Sequence, residues 1–324
     1  MSPYISTVNE DDLARDFTQH VKNRYIDQKF LYLEDEAAET YYILSGRHLD
    51  AMEDEATEMD DYYEILSSLI HEHGVDCLIS LGCGDASIEK SALARLAKDP
   101  KQSVQYIGVD ISRSMIRMAE KNLKDIDIDK RYLHSDITKD VFVSKLRELT
   151  KGCKKRVYAL FGGTLANLNQ TNIADTLYNI LEDGDMLWLD VRVRPDLSLE
   201  ENMKLFKWYT DYLTDETGPF MFSPLARMGV PKDAGRLTLK MHNESSVGAL
   251  LFKFHFQFDK KAVVDLNGEK IHFLPGETIK LLAVRAYHPD TLISFFEEHD
   301  FKLVQKNIQE ADGQIIFSRE RSKK

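Results

Sequence analysis

The sequence holds only three cysteines, Cys77, Cys83 and Cys153, and no two of them stand in CxxC spacing. An odd, scattered set argues against a disulfide framework and against a zinc site, and it points to a reducing, cytoplasmic setting. No apolar run approaches the ~20 residues that span a bilayer. The opening stretch, MSPYISTVNEDDLARD, has no basic segment leading into an apolar one, so no secretory signal is expected. Positive charge is also in short supply: 42 Lys and Arg face 54 Asp and Glu, a net charge of −12. Such a surface repels phosphate, and the two short basic runs, Lys151–Arg156 and Arg319–Lys324, read as a solvated loop and a tail. Neither a nucleic acid nor a membrane is expected as a partner.

What is present is a change of rhythm along 324 residues. Residues 10–70 are acidic with helical apolar spacing, as in Tyr63-Glu-Ile-Leu-Ser-Ser-Leu-Ile70. From Cys77 onward, short apolar runs alternate with amphipathic segments. The runs Cys77–Leu81, Gln105–Asp110, Arg131–His134, Val157–Phe161 and Met186–Val191 read as strands, with helices near Ser87–Lys98, Ser112–Leu123, Val141–Leu149 and Asn172–Leu181. This alternation predicts an α/β fold with a doubly wound, Rossmann-like parallel sheet. After Arg194-Pro195 it stops. A helical stretch over 197–213 and an irregular one over 214–245 precede strand-like runs at Ala249–Phe258, Lys260–Leu266, Lys270–Phe273 and Thr278–Tyr287. Helix Pro289–His299 and two further runs close the chain. The expected organisation is therefore a central domain over 71–195, with a second α+β substructure built from residues 1–70 and 196–324. The cleft between them would hold the substrate.

Three strand ends carry chemistry. The first reads Leu81-Gly82-Cys-Gly84-Asp-Ala-Ser87, two glycines that let backbone approach a ligand where a helix begins. A tight turn that binds nothing would read the same way. The second, Tyr106-Ile-Gly-Val-Asp110, ends in a carboxylate placed to accept from ribose hydroxyls. The third, His134-Ser-Asp136, places another acid where an adenine would lie. Helix caps and solvated turn acids account for either acid taken singly. In this order they match the layout of class I S-adenosylmethionine methyltransferases. A dinucleotide site would want a third glycine where Ser87 stands, and its acid ~20 residues on rather than at Asp110. An NAD-dependent oxidoreductase is thus the weaker reading.

The fourth strand and its loop, Val157-Tyr-Ala-Leu-Phe161-Gly-Gly-Thr-Leu-Ala-Asn167-Leu168, resemble the FxGGTxxN loop of the histidine-specific, ergothioneine-pathway-like S-adenosylmethionine-dependent methyltransferases. The resemblance extends over roughly residues 20–318, through the GxG strand, the VDIS strand end and Gly276-Glu-Thr-Ile279. It implies that Gly82, Gly84, Asp110, Asp136 and Gly162 contact S-adenosyl-L-methionine. It implies too that Asn167 reaches the head group of the methyl acceptor, since an amide both donates and accepts. The family's Glu-Tyr-Tyr segment finds its nearest match in Glu39-Thr-Tyr41-Tyr42, with Tyr62-Tyr63 a weaker one. Tyr41 would line the acceptor pocket and Tyr42 would serve catalysis beside Asn167.

One departure bears on the acceptor. Where histidine-methylating members have Glu-Ile-Ser, this chain has Leu282-Ala-Val284, aligned through Tyr287. Leu282 and Val284 cannot hydrogen-bond an imidazole, and an unpaired buried polar atom costs about 1–3 kcal/mol. The expected activity is N-methylation of a small amino-acid-like or amine metabolite other than histidine, without a metal. His134, His255 and His288 are minor candidates for the base. A catalytically silent protein that keeps the methyl-donor fold is the alternative. Oligomeric state is not legible in the sequence.

Overall fold

A computed structural model describes residues 4–50, 55–99, 102–194, 199–206, 213–214, 218–309 and 311–320. The N-terminal part comprises β1 (Tyr4–Ser6), α1 (Glu10–Lys22), a 3-10 turn (Gln28–Leu31), α2 (Asp35–Asp50) and α3 (Glu55–His73). Asn9 starts α1 by accepting from the amides of Asp11 and Asp12, and three acids in the first turn suit the positive end of the helix dipole.

The alternating region follows as β2 (Cys77–Leu81), α4 (Ser87–Leu96), β3 (Gln105–Asp110), α5 (Arg113–Leu123) and β4 (Lys130–His134). It continues through α6 (Asp140–Leu149), β5 (Arg156–Leu160), the one-turn α7 (Thr164–Asn167), α8 (Gln170–Ile180) and β6 (Met186–Arg192). All five residues of β2 are buried, as a strand covered on both faces requires. Leu78 joins an apolar cluster with α3, α4 and α5, while Ile79 joins another with α6 and α8. The sheet is doubly wound, as its periodicity predicts.

The rest of the chain forms α9 (Leu199–Leu205), α10 (Gly218–Arg227), β7 (Gly235–Glu244), β8 (Ala249–Phe258), β9 (Ala262–Leu266) and β10 (Glu269–Phe273). It ends with β11 (Thr278–Tyr287), α11 (Pro289–Glu297), β12 (Phe301–Gln309) and β13 (Asp312–Arg319). Of the helix expected over 197–213, residues 197–198 and 207–212 lie outside the described residues, as do 321–324 of the basic tail.

Two expectations are corrected. The last two strands do not join the second substructure. The main sheet runs β1-β4-β3-β2-β5-β6-β13-β12, with β13 antiparallel to β6 and β1 parallel to β4. Strands near both chain ends thus extend the main sheet past β4 and β6. The second correction concerns 214–245, which is not irregular: α10 and β7 lie there. Strands β7, β8 and β11 make an antiparallel sheet in the order β11-β8-β7, and β9 and β10 form a separate two-stranded sheet. Alternation in β8 puts Phe252, Phe254, Phe256 and Phe258 on one face, where α1, the 3-10 turn and α10 cover them.

Candidate active site

The candidate site lies at the C-terminal ends of β2, β3, β4 and β5, the side on which doubly wound sheets bind ligands. Gly82 has φ +73°, and a Cβ added there would lie 2.8 Å from Thr164 Cγ2. Only glycine lets the first loop close onto α7. The Gly84 amide donates to Asp110 Oδ2 at 2.9 Å, and a Cβ at Gly84 would meet nothing within 4 Å, so this backbone faces open space. Asp110 Oδ1 accepts from the Ser112 amide at 2.8 Å. Burial pushes the Asp110 carboxyl up to about 6, with the Ser112, Gly84 and Ile111 amides opposing it.

Asp136, one strand further, accepts three hydrogen bonds. Its Oδ1 accepts from the Thr138 amide at 3.0 Å and the Thr138 hydroxyl at 2.6 Å. Its Oδ2 pairs with Lys29 Nζ at 2.7 Å. Burial works to raise this carboxyl, but the Lys29 ammonium and the Thr138 donors outweigh it and hold it below its usual range. Lys29 comes from the N-terminal part, so no local pattern around Asp136 announces it.

The loop after β5 is held from three sides. The Gly162 amide donates to Asp190 Oδ2 at 3.0 Å, from the end of β6. Burial raises the Asp190 carboxyl; the Gly162 amide, Arg192 and the Tyr62 hydroxyl oppose it. Tyr62 packs on Phe161 at 5.2 Å and Trp188 at 5.7 Å, which puts the weaker tyrosine candidate against this loop. At the loop's far end, Arg285 Nη1 donates to the Ala166 and Leu168 carbonyls at 3.1 and 3.2 Å, on either side of Asn167. Arg285 is buried and also pairs with Glu244 at 2.6 Å. Gln170 Nε2 and the Tyr287 hydroxyl donate to the Leu165 carbonyl. Asn167 itself is half-buried. Sequence reasoning missed Arg285, Asp190 and Lys29, and only the strand-end position of Asp190 offered a signal.

The two adjacent tyrosines part company. Tyr41 packs edge-on against Tyr32 at 4.9 Å and against Phe220 at 5.2 Å. Burial raises its pKa, with a hydrogen bond to Tyr32 opposing. Tyr42 is 46% exposed, because one residue along a helix turns the side chain by about 100°. Tyr42, for which a catalytic role is expected, is thus the more exposed of the two, and Tyr41 is the one packed inward. Leu282 is buried in the apolar cluster against which Tyr41 packs. Val284 lies where this cluster meets that of the main sheet. Leu282 pairs with Phe254 and Val284 with Phe252, so both share the phenylalanine face.

The minor base candidates are otherwise engaged or placed. His134 contacts Ser6 Oγ at 2.9 Å and the Ile111 carbonyl at 3.0 Å, using both ring nitrogens. His255 lies on the face of β8 opposite the phenylalanines, and His288 precedes α11. Of the basic run 151–156, Arg156 is tied to Glu182 at 2.9 Å and Asp185 at 3.3 Å, a structural role. Among the described residues no His/Cys/Asp/Glu cluster is placed to hold a metal, and no helix is long and apolar enough to cross a membrane.

The chain was compared with known proteins. Among solved structures it is similar to an S-adenosylmethionine-dependent methyltransferase from Clostridium acetobutylicum ATCC 824, with 13% identity over 87% of this chain and 98% of that one, TM-score 0.46. The PH0226 protein from Pyrococcus horikoshii OT3 is similar at 12% identity over 86% and 98%, TM-score 0.45. DesVI from Streptomyces venezuelae is similar at 13% identity over 87% and 97%, TM-score 0.42. No curated protein sequence matches the chain. A family model described as histidine-specific methyltransferase, SAM-dependent, matches residues 22–196, which takes in the glycine loop, both strand-end acids and the Phe161–Asn167 loop. The chain belongs to this family of S-adenosylmethionine-dependent methyltransferases.

Proposed function

We propose that the protein methylates a nitrogen of a small amino-acid-like or amine acceptor other than histidine. The observation that carries this reading is the placement of Leu282 and Val284 on the phenylalanine face, Leu282 within the cluster and Val284, like Tyr41, packed against it. An imidazole laid there finds no partner from either position, which costs about 1–3 kcal/mol. An apolar or aromatic acceptor body loses nothing on that wall.

The residues present suit the cofactor. Gly84 leaves its backbone open to the crevice, and Asp110 is a buried carboxylate beside it with acceptor capacity for ribose hydroxyls. Asp136 would take the adenine amine. When bound, S-adenosylmethionine supplies a methyl carbon already activated by its sulfonium. What the chain contributes is position: Asn167 orients the acceptor head group, and the Arg285 clasp fixes the turn that carries it. The Tyr41 phenol stays neutral at physiological pH, since burial raises it, and so orients the acceptor by hydrogen bonding. An amine acceptor sheds its proton to water before its lone pair attacks.

The test is titration with S-adenosylhomocysteine, followed by radiolabelled methyl transfer to a panel of amino acids and amines that includes histidine. Saturable binding with turnover on a non-histidine amine supports the reading. Turnover on histidine overturns the acceptor assignment. Binding with no turnover on any member favours the silent alternative.

A further inference from the structure

We propose that Lys29 is a positioning residue for the adenine end of the cofactor, setting its preference for a base that carries an amino group. The inference rests on Asp136 as the acid that meets the adenine.

Lys29 sits on a turn that belongs to the other half of the molecule. Its neighbours Phe30 and Leu31 are fully buried in the phenylalanine cluster. The Ile26 amide, just before the turn, donates to the Lys280 carbonyl of β11 at 2.7 Å. From there the Lys29 side chain crosses to Asp136, with only 12% and 10% of the two side chains exposed. It also reaches Asp16 at 3.3 Å, and Asp16 pairs with Lys139 at 2.8 Å. A buried ion pair is weak ground for stability, because desolvation offsets most of the attraction. Its place at a ligand-facing strand end calls for another account.

Hydrogen-bond capacity supplies it. Asp136 Oδ1 already accepts from two Thr138 donors, and Oδ2 accepts from Lys29. One lone pair remains, on Oδ2, and it suits the exocyclic amine of adenine, which donates. A base laid over this strand end strips residual water from Asp136. Without the Lys29 ammonium, burial would favour the protonated carboxyl, and a donor would then face a donor. A base with a carbonyl in place of the amine would instead meet the carboxylate lone pair. The Lys29–Asp136 pair therefore both admits the amine and rejects the carbonyl.

The experiment is calorimetric titration of the full chain with S-adenosylhomocysteine and with S-inosylhomocysteine, its deaminated analogue. Wild type should bind the adenosyl form more tightly. Lys29→Met should weaken that form about tenfold, the worth of one hydrogen bond to a charged group, and leave the inosyl form unweakened or tighter, since a protonated Asp136 donates to its carbonyl. Lys29→Arg should restore the preference. In an Asp136→Asn background Lys29→Met should add nothing. A folded Lys29→Met that binds the adenosyl form like wild type overturns the proposal. So does an equal loss for both ligands, the mark of a merely structural role. If Lys29→Met does not fold, Lys29→Gln carries the same comparison. Unchanged adenosyl affinity in Asp136→Ala, which keeps no side-chain acceptor, defeats the underlying adenine assignment instead.

Discussion

The amide of Gly84 donates to the carboxylate of Asp110 at 2.9 Å, so the acid ending the second strand braces the glycine loop that follows the first. These residues are 26 positions apart in sequence and adjacent in the sheet, since β2 and β3 pair in parallel. One carboxylate thus shapes the loop and offers its remaining capacity to a ligand.

Asp110→Ala should abolish measurable binding of S-adenosylhomocysteine, because both the loop brace and the ribose acceptor go. For wild type, burial puts the Asp110 carboxyl at about 6 in the free protein. Ribose hydroxyls need the ionised form, so affinity should fall as pH drops below about 6 and level off above about 7. Calorimetry across pH checks both statements, and a flat profile would count against Asp110 as the acceptor.

Asn167→Ala should leave S-adenosylhomocysteine affinity within about twofold while cutting methyl transfer by about 10–100-fold, the worth of one or two lost hydrogen bonds. The comparison needs a titration and a single-turnover assay on the same preparation. Equal losses in both would assign Asn167 to the cofactor.

Arg285→Ala leaves Glu244 without its partner and frees the carbonyls beside Asn167. Glu244 is 28% exposed, so the lost pair and the two carbonyls left without their donor together cost about 1–3 kcal/mol. Thermal denaturation should show a marked drop in melting temperature. Arg285→Lys, which cannot reproduce the fork, should recover only part of it.

Glu89, buried in the first turn of α4 beneath the glycine loop, accepts from the Tyr106 hydroxyl at 3.3 Å. Burial pushes its carboxyl up from 4.5 to about 7. The native state thus holds this proton more tightly than the unfolded one. The stability contribution is complete below about 4.5 and is lost as pH rises through about 7. Glu89→Gln removes that loss. Its stability relative to wild type should therefore rise between pH 4.5 and 7 and stay level above, by at most about 3 kcal/mol. Chemical denaturation at pH 5 and pH 8 checks it, and no difference between the two would contradict a buried, titrating Glu89.

The α/β alternation, the strand ends at Asp110 and Asp136 and the loop from Phe161 to Asn167 were all legible in the sequence. Each depends on residues within a few positions of one another: five-residue apolar runs, a glycine pair, an acid where a strand stops. Such features are written in local periodicity and turn chemistry. The tertiary structure alone decided that β12 and β13 complete the main sheet, and that Tyr41 rather than Tyr42 turns inward. It also decided that Lys29 meets Asp136 across 107 positions and that Arg285 grips the Ala166 carbonyl across 119. Those outcomes turn on which edge a strand finds and which face a side chain takes once two apolar clusters close on each other. No short stretch carries that information, because burial is settled by the whole chain at once.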